Sequence, residues 1–304
     1  MYDLIIIGGG PAGVAAGIYG ARQKLNTLLI TKNFGGQMVK KAVVIENYPG
    51  FESISRLELI DRFEKHLRKQ KIDIEIDEVI KLKKAGENFL VSTSSKNQFE
   101  AKSIIIASGA DPRPLEIPGE KEFLGRGLSY CVTCDGPLFP DKTVAVIGGG
   151  NAGFEAAFFL SKIAKKIYIL EAGSKVIADL ENQERAQKTG KVELITSVIL
   201  KKIEGDQFVK ALICEDKNTG KTITLPLEGI FVEIGSQPCT SFAKGLVDFN
   251  ERDEIKVEFE TYQTKTPGLF AVGDANVGKF KQIITAAGEG AKAALAAYDY
   301  LQKF

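Results

Sequence analysis

The sequence is poor in cysteine and in histidine. Its 304 residues include four cysteines and one histidine, His66. Four cysteines in a chain of this length are too few for the disulfide framework of a small secreted protein. Any disulfide in the chain is therefore expected to be catalytic rather than structural.

The chain also lacks an excess of charge and a long apolar run. Forty Lys and Arg stand against 39 Asp and Glu, so the net charge of +1 offers no basic footprint for nucleic acid or a membrane surface. No apolar run approaches the roughly 18 residues of a membrane span. The N-terminus runs directly into "DLIII" without a leader pattern. We expect a cytoplasmic protein without a nucleic-acid or membrane partner.

One pattern occurs twice in an otherwise even composition. The stretch "DLIIIGGGPAGVAAGIYGARQ", followed by "TLLIT", reads as strand, glycine turn, Ala-rich helix and strand. The stretch "TVAVIGGGNAGFEAAFFLSKIAKKIYILE", at 143 to 171, repeats this order. Because 304 residues exceed the usual size of one hydrophobic core, two domains are expected. The sequence predicts an α/β fold with two Rossmann-like nucleotide-binding domains.

The glycines of the two units have defined tasks. The first makes the tight turn, the second lets the backbone approach a pyrophosphate, and the third lets the helix pack on the strand. The N-terminus of the helix then favours the phosphate charge. A single match would be weak, because close-packed turns also use glycine, but two copies favour two dinucleotide sites. The glycines are Gly8, Gly10 and Gly13 in the first unit and Gly148, Gly150 and Gly153 in the second.

The end of the second strand differs between the units. In the second unit it is Glu171, whose carboxylate could accept hydrogen bonds from both ribose hydroxyls of NAD(H). The same carboxylate would repel the 2′-phosphate of NADPH, and the following "AGSKVIADL" supplies only Lys175 and no arginine. The first unit ends its strand at Thr31, without an acid. The pattern predicts NADH at the second unit.

Two of the four cysteines form a C-x-x-C pair, Cys131 and Cys134. Such a pair closes a small ring, and a depressed thiolate pKa favours a disulfide that cycles. The alternatives are a zinc half-site or two buried cysteines. Zinc needs two further ligands, but Cys214 and Cys239 belong to no second C-x-x-C and His66 is the only histidine. The redox interpretation is favoured, no metal site is expected, and Cys214 and Cys239 are interpreted as ordinary buried or loop thiols.

Two helices show apolar faces. The segment "LIDRFEKHLRKQK" has Ile60, Phe63 and Leu67 on one face and a solvated basic face that includes His66. The C-terminal segment predicts a strand that ends at Gly273 and Asp274, followed by a closing helix. Its buried face is predicted to contain Ala294, Leu295, Tyr298 and Leu301.

Several segments together resemble the low-molecular-weight thioredoxin reductase family, which consists of FAD-dependent pyridine nucleotide-disulfide oxidoreductases. The resemblance extends from Tyr2 to Phe304 and is carried by "GGGPAG", "FGGQM" at 34 to 38, "ENYPGF" at 46 to 51, "IIIASGA" at 104 to 110 and the C-terminal "GLFAVGDANVGKFKQIITAAGEGAKAALAAYDYL". It implies an FAD domain built from residues 1–113 and 239–304, with a pyridine-nucleotide domain inserted at 114–238. The chain would cross from the FAD domain to the inserted domain at Pro112 to Pro118 and return at Gly235 to Pro238.

The resemblance also implies the residues of the sites. Cys134 would face the flavin, Cys131 would attack the partner disulfide, and Asp135 would protonate the leaving thiolate or the flavin. FAD would be held by Gly8, Gly10, Pro11, Ala12, Gly13, Gly36, Gln37, Asn47, Ala107, Ser108, Gly109, Gly273, Asp274, Gln282 and Ile283. The pyridine nucleotide would be held by Gly148, Gly150, Asn151, Ala152, Gly153 and Glu171. In this family the inserted domain rotates during catalysis, and a homodimer is expected.

The chain departs from the family pattern at one place. NADPH-using members carry a His-Arg-Arg cluster and a further Arg where this chain has Glu171, Ala172 and Gly173. The C-terminal half looks more like the NADH-using flavoprotein of alkyl hydroperoxide reductase, but we expect no counterpart of the N-terminal thioredoxin-like module of that protein. We therefore expect FAD and NADH, rather than NADPH, as cofactors. A separate thioredoxin-like or glutaredoxin-like partner is expected to receive the electrons.

Two other functions stay open. One is a reductase whose FAD is reduced by ferredoxin, against which the intact "GGGNAG" argues. The other is a non-catalytic flavin-binding or redox-sensing protein, against which the intact C-x-x-C-D argues.

Overall fold

The computed structural model describes residues 1–41, 44–45 and 47–303, with only the main chain described for Lys40, Lys41 and Val44. The chain divides into two compact units. One contains Met1–Lys40, Ile45–Asp111 and Gln237–Phe304, and the other contains Lys41–Val44 and Pro112–Ser236. The second unit interrupts the first in sequence, close to the predicted crossings. No helix among the described residues has the length and hydropathy needed to cross a membrane.

The elements follow one another in three segments of the chain. The first contains β1 (Tyr2–Gly9), α1 (Pro11–Arg22), β2 (Thr27–Phe34), α2 (Met38–Lys41), β3 (Val44–Ile45), β4 (Ile54–Ser55), α3 (Arg56–Arg68), β5 (Asp73–Ile76), β6 (Val79–Ala85), β7 (Asn88–Thr93), β8 (Gln98–Ile106) and β9 (Ala110–Pro112). The second contains α4 (Glu120–Phe123), β10 (Leu128–Ser129), α5 (Val132–Asp135), β11 (Thr143–Ile147), α6 (Asn151–Leu160), β12 (Lys166–Leu170), α7 (Leu180–Gln187), β13 (Val192–Ile195), β14 (Val198–Gly205), β15 (Val209–Asp216), β16 (Thr222–Pro226) and β17 (Gly229–Val232). The third contains β18 (Ser236–Pro238), β19 (Leu269–Ala271) and α8 (Ile283–Leu301).

The main sheet of the first unit has the strand order β5-β2-β1-β8-β7-β6, and β19 also pairs with β8. The pairs among β5, β2, β1, β8 and β19 are parallel, whereas β6 and β7 join by antiparallel pairing. Ile5 is opposite Leu28 on one side and Ile104 on the other. These central strands are buried on both faces, which explains their unbroken apolar runs.

The second unit has its own parallel sheet, in the order β10-β17-β11-β12-β13. A three-stranded antiparallel sheet, β14-β15-β16, completes this unit. Cys214 lies in β15 with its side chain buried, and burial raises the pKa of its thiol to about 11. A thiol with so high a pKa carries little thiolate at neutral pH, in keeping with its interpretation as an ordinary buried residue.

The predicted apolar stripe of α3 is confirmed, because Leu67 is fully buried and Ile60 and Phe63 pack against the same core. The prediction for α8 was wrong at one position. Ala294 is buried and Tyr298 and Leu301 pack against the core, but Leu295 is 39% exposed. Each residue advances about 100° around a helix, so Leu295 lies to the side of the face that Ala294 shares.

The buried face of α8 packs against α1 through small residues. An added Cβ at Gly290 would lie only 2.0 Å from the main-chain oxygen of Ala12, whereas nothing lies within 4 Å of the same position at Gly288. The contact between the two helices therefore requires glycine at one position and tolerates a side chain two residues earlier.

This difference makes a matched pair of substitutions informative. Gly290→Ala should lower the free energy of unfolding by about 1–3 kcal/mol, because the helices must move apart. Gly288→Ala should raise it by about 0.5–1 kcal/mol, because alanine loses less entropy in a helix. Urea unfolding of both variants measures the two effects, and equal changes would contradict the close contact.

Candidate functional site

The disulfide segment begins just after β10. The structure joins Cys131 and Cys134 in a disulfide, and both residues are partly exposed. Asp135 directly follows at the end of α5 and is only 7% exposed. The Ser129 hydroxyl donates a hydrogen bond of 2.6 Å to Asp135 Oδ2 and accepts one of 3.0 Å from the Cys131 N–H. A reducible bond therefore lies beside a buried carboxyl group that could hold a proton.

Ser129 was missed by the sequence analysis. Its role depends on a bond across six residues, and a serine in a short strand carries no distinguishing pattern. The resulting arrangement holds the first cysteine and the acid through one hydroxyl. Loss of that hydroxyl would remove one hydrogen bond from each.

A second contact secures the start of the same segment. The Tyr130 hydroxyl donates to Glu120 Oε1, and burial together with the nearby Glu120 carboxylate raises the pKa of Tyr130. The Glu120 carboxylate also accepts the N–H groups of Leu115, at 3.1 Å, and Glu116, at 2.7 Å. One carboxylate thus connects the residue before Cys131 to the beginning of the inserted segment. No local sequence signal pairs residues ten positions apart.

The two glycine turns have the same geometry. Gly8 and Gly148 have φ values of +119° and +120°, which favour glycine. An added Cβ at Gly13 would lie 1.9 Å from the oxygen of Gly8, and one at Gly153 would lie 1.9 Å from the oxygen of Gly148. The first and third glycines of each unit are therefore required by the fold itself, as the sequence analysis expected.

The second glycine of each turn is different, because the space beside it is open. The nearest atom to an added Cβ is the Gly36 Cα at 3.8 Å for Gly10, and the Ile177 Cγ1 at 4.0 Å for Gly150. These glycines precede α1 and α6 as N-cap residues, and neither helix has an acidic residue in its first turn. An open main chain at a helix N-terminus can accept a pyrophosphate, so both turns fit a dinucleotide.

Glu171 follows β12, and its carboxylate is fixed at the glycine turn. Oε2 accepts the N–H of Gly149 at 2.7 Å, and Oε1 accepts the N–H of Gly173 at 2.6 Å. Asn151 Nδ2 donates to Asp179 Oδ2 at 2.9 Å, and Asn151 Oδ1 accepts the N–H of Asp179 at 2.7 Å, while its contact with a nucleotide stays a prediction. The structure thus places a negative charge beside the turn and uses Asn151 to close the loop that follows.

The predicted FAD residues of the first unit come together from distant segments. Gln37 Nε2 donates to Asp274 Oδ2 at 2.5 Å, and Asn47 Nδ2 donates to Gln282 Oε1 at 3.2 Å. Gln282 is also the N-cap residue of α8, which begins at Ile283. The structure therefore unites residues that are more than 230 positions apart in sequence. Glu46, the first residue of "ENYPGF", and Phe304 lie outside the described residues, as do Ala42 and Val43.

Ser108, which follows β8, supports a bound group at this place. Its hydroxyl oxygen is buried and has no hydrogen-bond partner among the described residues. A buried polar group without a partner costs about 1–3 kcal/mol, so an acceptor on a ligand would stabilise it. The neighbouring residues Ala107 and Gly109 belong to the same loop between β8 and β9, and Gly109 has a φ of +68°. The residues present therefore fit FAD. Within residues 1–41, 44–45 and 47–303, no group of three His, Cys, Asp or Glu could hold a metal ion.

The open glycine gives a test that separates ligand binding from folding. Gly150→Ala should leave the unfolding midpoint of the ligand-free protein near that of the wild type, because the nearest atom is 4.0 Å away. The same change should weaken NADH binding by about ten-fold or more, because the methyl group would occupy the approach of the pyrophosphate. Isothermal titration calorimetry measures the binding, and Gly153→Ala is the contrasting variant that should impair folding. Unchanged NADH affinity in Gly150→Ala would contradict the assignment of this turn.

Comparisons with known proteins agree with this geometry. A family model described as pyridine nucleotide-disulphide oxidoreductase matches residues 2–290. The F subunit of alkyl hydroperoxide reductase from Pseudomonas aeruginosa is 41% identical over 305 residues, which are 99% of this chain and 58% of that protein. The corresponding protein from Staphylococcus aureus strain NCTC 8325 is 39% identical over 301 residues, or 59% of its length. This chain thus spans less than two thirds of these relatives.

Solved structures resemble the whole chain. The thioredoxin reductase from Streptococcus pyogenes superposes with a TM-score of 0.91 at 36% identity, covering 100% of this chain and 99% of that one. The thioredoxin reductase from Giardia duodenalis gives 0.90 at 31% identity, covering 99% of both chains. The prediction of two Rossmann-like domains, the second inserted into the first, is confirmed. The chain therefore belongs to the FAD-dependent pyridine nucleotide-disulphide oxidoreductase family.

Proposed function

We propose that the protein passes electrons from NADH through FAD to the Cys131–Cys134 disulfide, and then to the disulfide of a thioredoxin-like protein. The observation that carries the proposal is the combination, in one chain of this family, of two open glycine turns and a partly exposed disulfide beside a buried acid. A non-catalytic sensor would not need the acid at that place.

The FAD site is proposed in the first unit. Bound FAD supplies hydride acceptance from a nicotinamide and the transfer of two electrons to a disulfide. The open space beside Gly10 would admit the pyrophosphate, and Gly36, which has a φ of +55°, lies against Gly10. The Ser108 hydroxyl offers an unused donor, and Asp274, which accepts a hydrogen bond from Gln37, would contact the ribityl chain. These residues bind and orient the cofactor and take no part in bond breaking.

The redox chemistry is proposed for the disulfide segment. Two electrons and two protons convert the Cys131–Cys134 disulfide into two thiols, and Asp135 would supply a proton to the leaving thiolate. Ser129 holds Asp135 in place. Cys134 would face the flavin, and Cys131 would then attack the partner disulfide. Exchange with the partner regenerates the Cys131–Cys134 disulfide and leaves the partner as a dithiol, so electrons and protons balance.

The likeness to thioredoxin reductases supports a thioredoxin-like or glutaredoxin-like acceptor. The likeness to the F subunit of alkyl hydroperoxide reductase supports a second candidate, a role in reducing the peroxidase of an alkyl hydroperoxide reductase. We further propose that the protein is a homodimer. We also propose that it is cytoplasmic, because a disulfide in the cytoplasm is usually catalytic rather than structural. Reduction assays with a thioredoxin and with such a peroxidase as acceptors distinguish the two functions.

The cysteine assignment predicts a specific pattern of loss. Cys131→Ser or Cys134→Ser should lower reduction of the acceptor disulfide by at least about 100-fold, because no internal disulfide remains to carry electrons. Each variant should still contain FAD and should still be bleached by the nucleotide donor. Cys239→Ser is the matched control, since Cys239 lies outside the disulfide and is exposed, and should keep wild-type activity. Wild-type acceptor reduction in either single variant would contradict the assignment.

The charge of Glu171 predicts a preference for NADH over NADPH. Two unit charges about 5 Å apart repel by about 3 kcal/mol at an effective dielectric constant near 20. After screening by salt and by Lys175, a third of this repulsion would still give about five-fold discrimination. Steady-state kinetics with both nucleotides should therefore show the higher kcat/KM for NADH. An equal or higher value for NADPH would refute the preference.

Two variants locate the cause of that preference. Glu171→Gln removes the charge and keeps an acceptor oxygen for the glycine turn, so the NADH to NADPH ratio of kcat/KM should fall several-fold. Glu181→Gln changes a carboxylate in the first turn of α7, where it is exposed, and should leave the ratio unchanged. If neither nucleotide bleaches the flavin and reduced ferredoxin does, the ferredoxin-linked reductase replaces this proposal.

A further inference from the structure

Glu289 on α8 makes two hydrogen bonds to the turn that contains Asp274. Its Oε2 accepts the N–H of Gly273 at 2.7 Å and the side-chain Nδ2 of Asn276 at 2.7 Å. The two donors lie on either side of Asp274 in sequence. One carboxylate oxygen therefore fixes both flanks of the residue that is proposed to contact the ribityl chain.

Asn276 extends this contact through the turn. It is fully buried, its Nδ2 also donates to the oxygen of Ala271 at 3.3 Å, and its Oδ1 accepts the N–H of Gly278 at 2.6 Å. Both the nitrogen and the oxygen of the amide thus make hydrogen bonds. Glu289 and Asn276 thus hold the turn from the end of β19 to Gly278 through hydrogen bonds to its main chain and to each other.

The surroundings show that Glu289 is unusual at its position. Glu289 is half-buried beside the buried residues of α8, which are all small: Ala286, Gly290, Ala293, Ala294 and Ala297. A carboxyl group beside such a face is costly to bury, and burial raises the pKa of Glu289. The hydrogen bonds from Gly273 and Asn276 and the charge of Lys281 act in the opposite direction. Packing against α1 alone would be satisfied by alanine.

Lys281 balances the charge of this region. Its amino group donates to the main-chain oxygen of Asn276, lies 3.5 Å from that of Asp274, and is 3.2 Å from the Glu254 carboxylate. The ammonium group therefore contacts main-chain oxygens of the same turn. Glu289 and Lys281 together leave Asp274 little freedom of main-chain movement.

We propose that Glu289 is a positioning residue for FAD, which fixes the turn from Gly273 to Asn276 so that Asp274 faces the ribityl chain. The inference rests on the proposed role of Asp274 in FAD binding. Glu289 itself would make no contact with the cofactor, so its whole effect on affinity should pass through Asp274.

The experiment is a titration of the FAD-free protein with FAD. Glu289→Met keeps the length of the side chain but removes the acceptor, and should raise the Kd for FAD by about ten-fold or more. Glu289→Gln should stay within about three-fold of the wild type, because one amide oxygen can accept both hydrogen bonds. Asp299→Asn, an exposed carboxylate on the same helix, is the matched control and should have no effect.

A double-mutant cycle with Asp274→Ala tests whether Glu289 changes the affinity for FAD through Asp274. If Glu289 acts through Asp274, Glu289→Met should weaken FAD binding little further in the Asp274→Ala background. Additive losses would overturn the proposal, as would equal losses in Glu289→Met and Glu289→Gln. Urea unfolding of the FAD-free variants checks that they are folded, and Glu289→Ala, which also removes the acceptor, replaces Glu289→Met in the cycle if that variant does not fold. Failure of the wild type to bind FAD would instead refute the proposed function.

Discussion

The close approach of helix to strand at the glycine turns is the constraint on which both units depend. At Gly13 and at Gly153, the position of a Cβ is taken by the main-chain oxygen of the first glycine in the same turn, at 1.9 Å. Because the helix lies so near, its N-terminus is brought to the end of the central strand. The middle glycine is then left with open space in front of it. Packing and the capacity to bind a pyrophosphate thus arise from one local geometry, used twice.

The two turns differ in what lies beside them, and this difference separates the proposed ligands. In the second unit the Glu171 carboxylate accepts two main-chain N–H groups, so its charge is held at the turn. In the first unit Thr31 takes the corresponding place, and its hydroxyl donates to the oxygen of Asn33. The recognition proposed there uses residues from far along the chain, such as Asp274 and Gln282. An acid lies beside the turn of the second unit, whereas remote polar groups are proposed to act at the turn of the first. This difference explains how two related turns could bind different dinucleotides.

Carboxylates that accept hydrogen bonds from the main chain recur at each proposed site. Glu120 binds the start of the inserted segment together with Tyr130, Glu171 binds the nucleotide turn, and Glu289 binds the turn at Asp274. Charge-assisted hydrogen bonds of this kind are stronger than neutral ones. They hold loops that no regular element would fix.

The sequence by itself determined the features that depend on local periodicity and spacing. The two glycine units, the parallel core strands, the C-x-x-C pair with its acid and the buried stripe of α3 all follow from patterns within about 30 residues. The likeness to a flavoprotein family comes from several such segments between Tyr2 and Phe304. Only the tertiary structure decided which distant side chains meet. It brought Ser129 to Asp135, Gln37 to Asp274 and Glu289 to Gly273, used Asn151 to close a loop, and left Leu295 off the buried face of α8. Such contacts depend on the exact rotation of a helix and on segments that fold together across the chain, and neither leaves a periodic signal in the residues themselves.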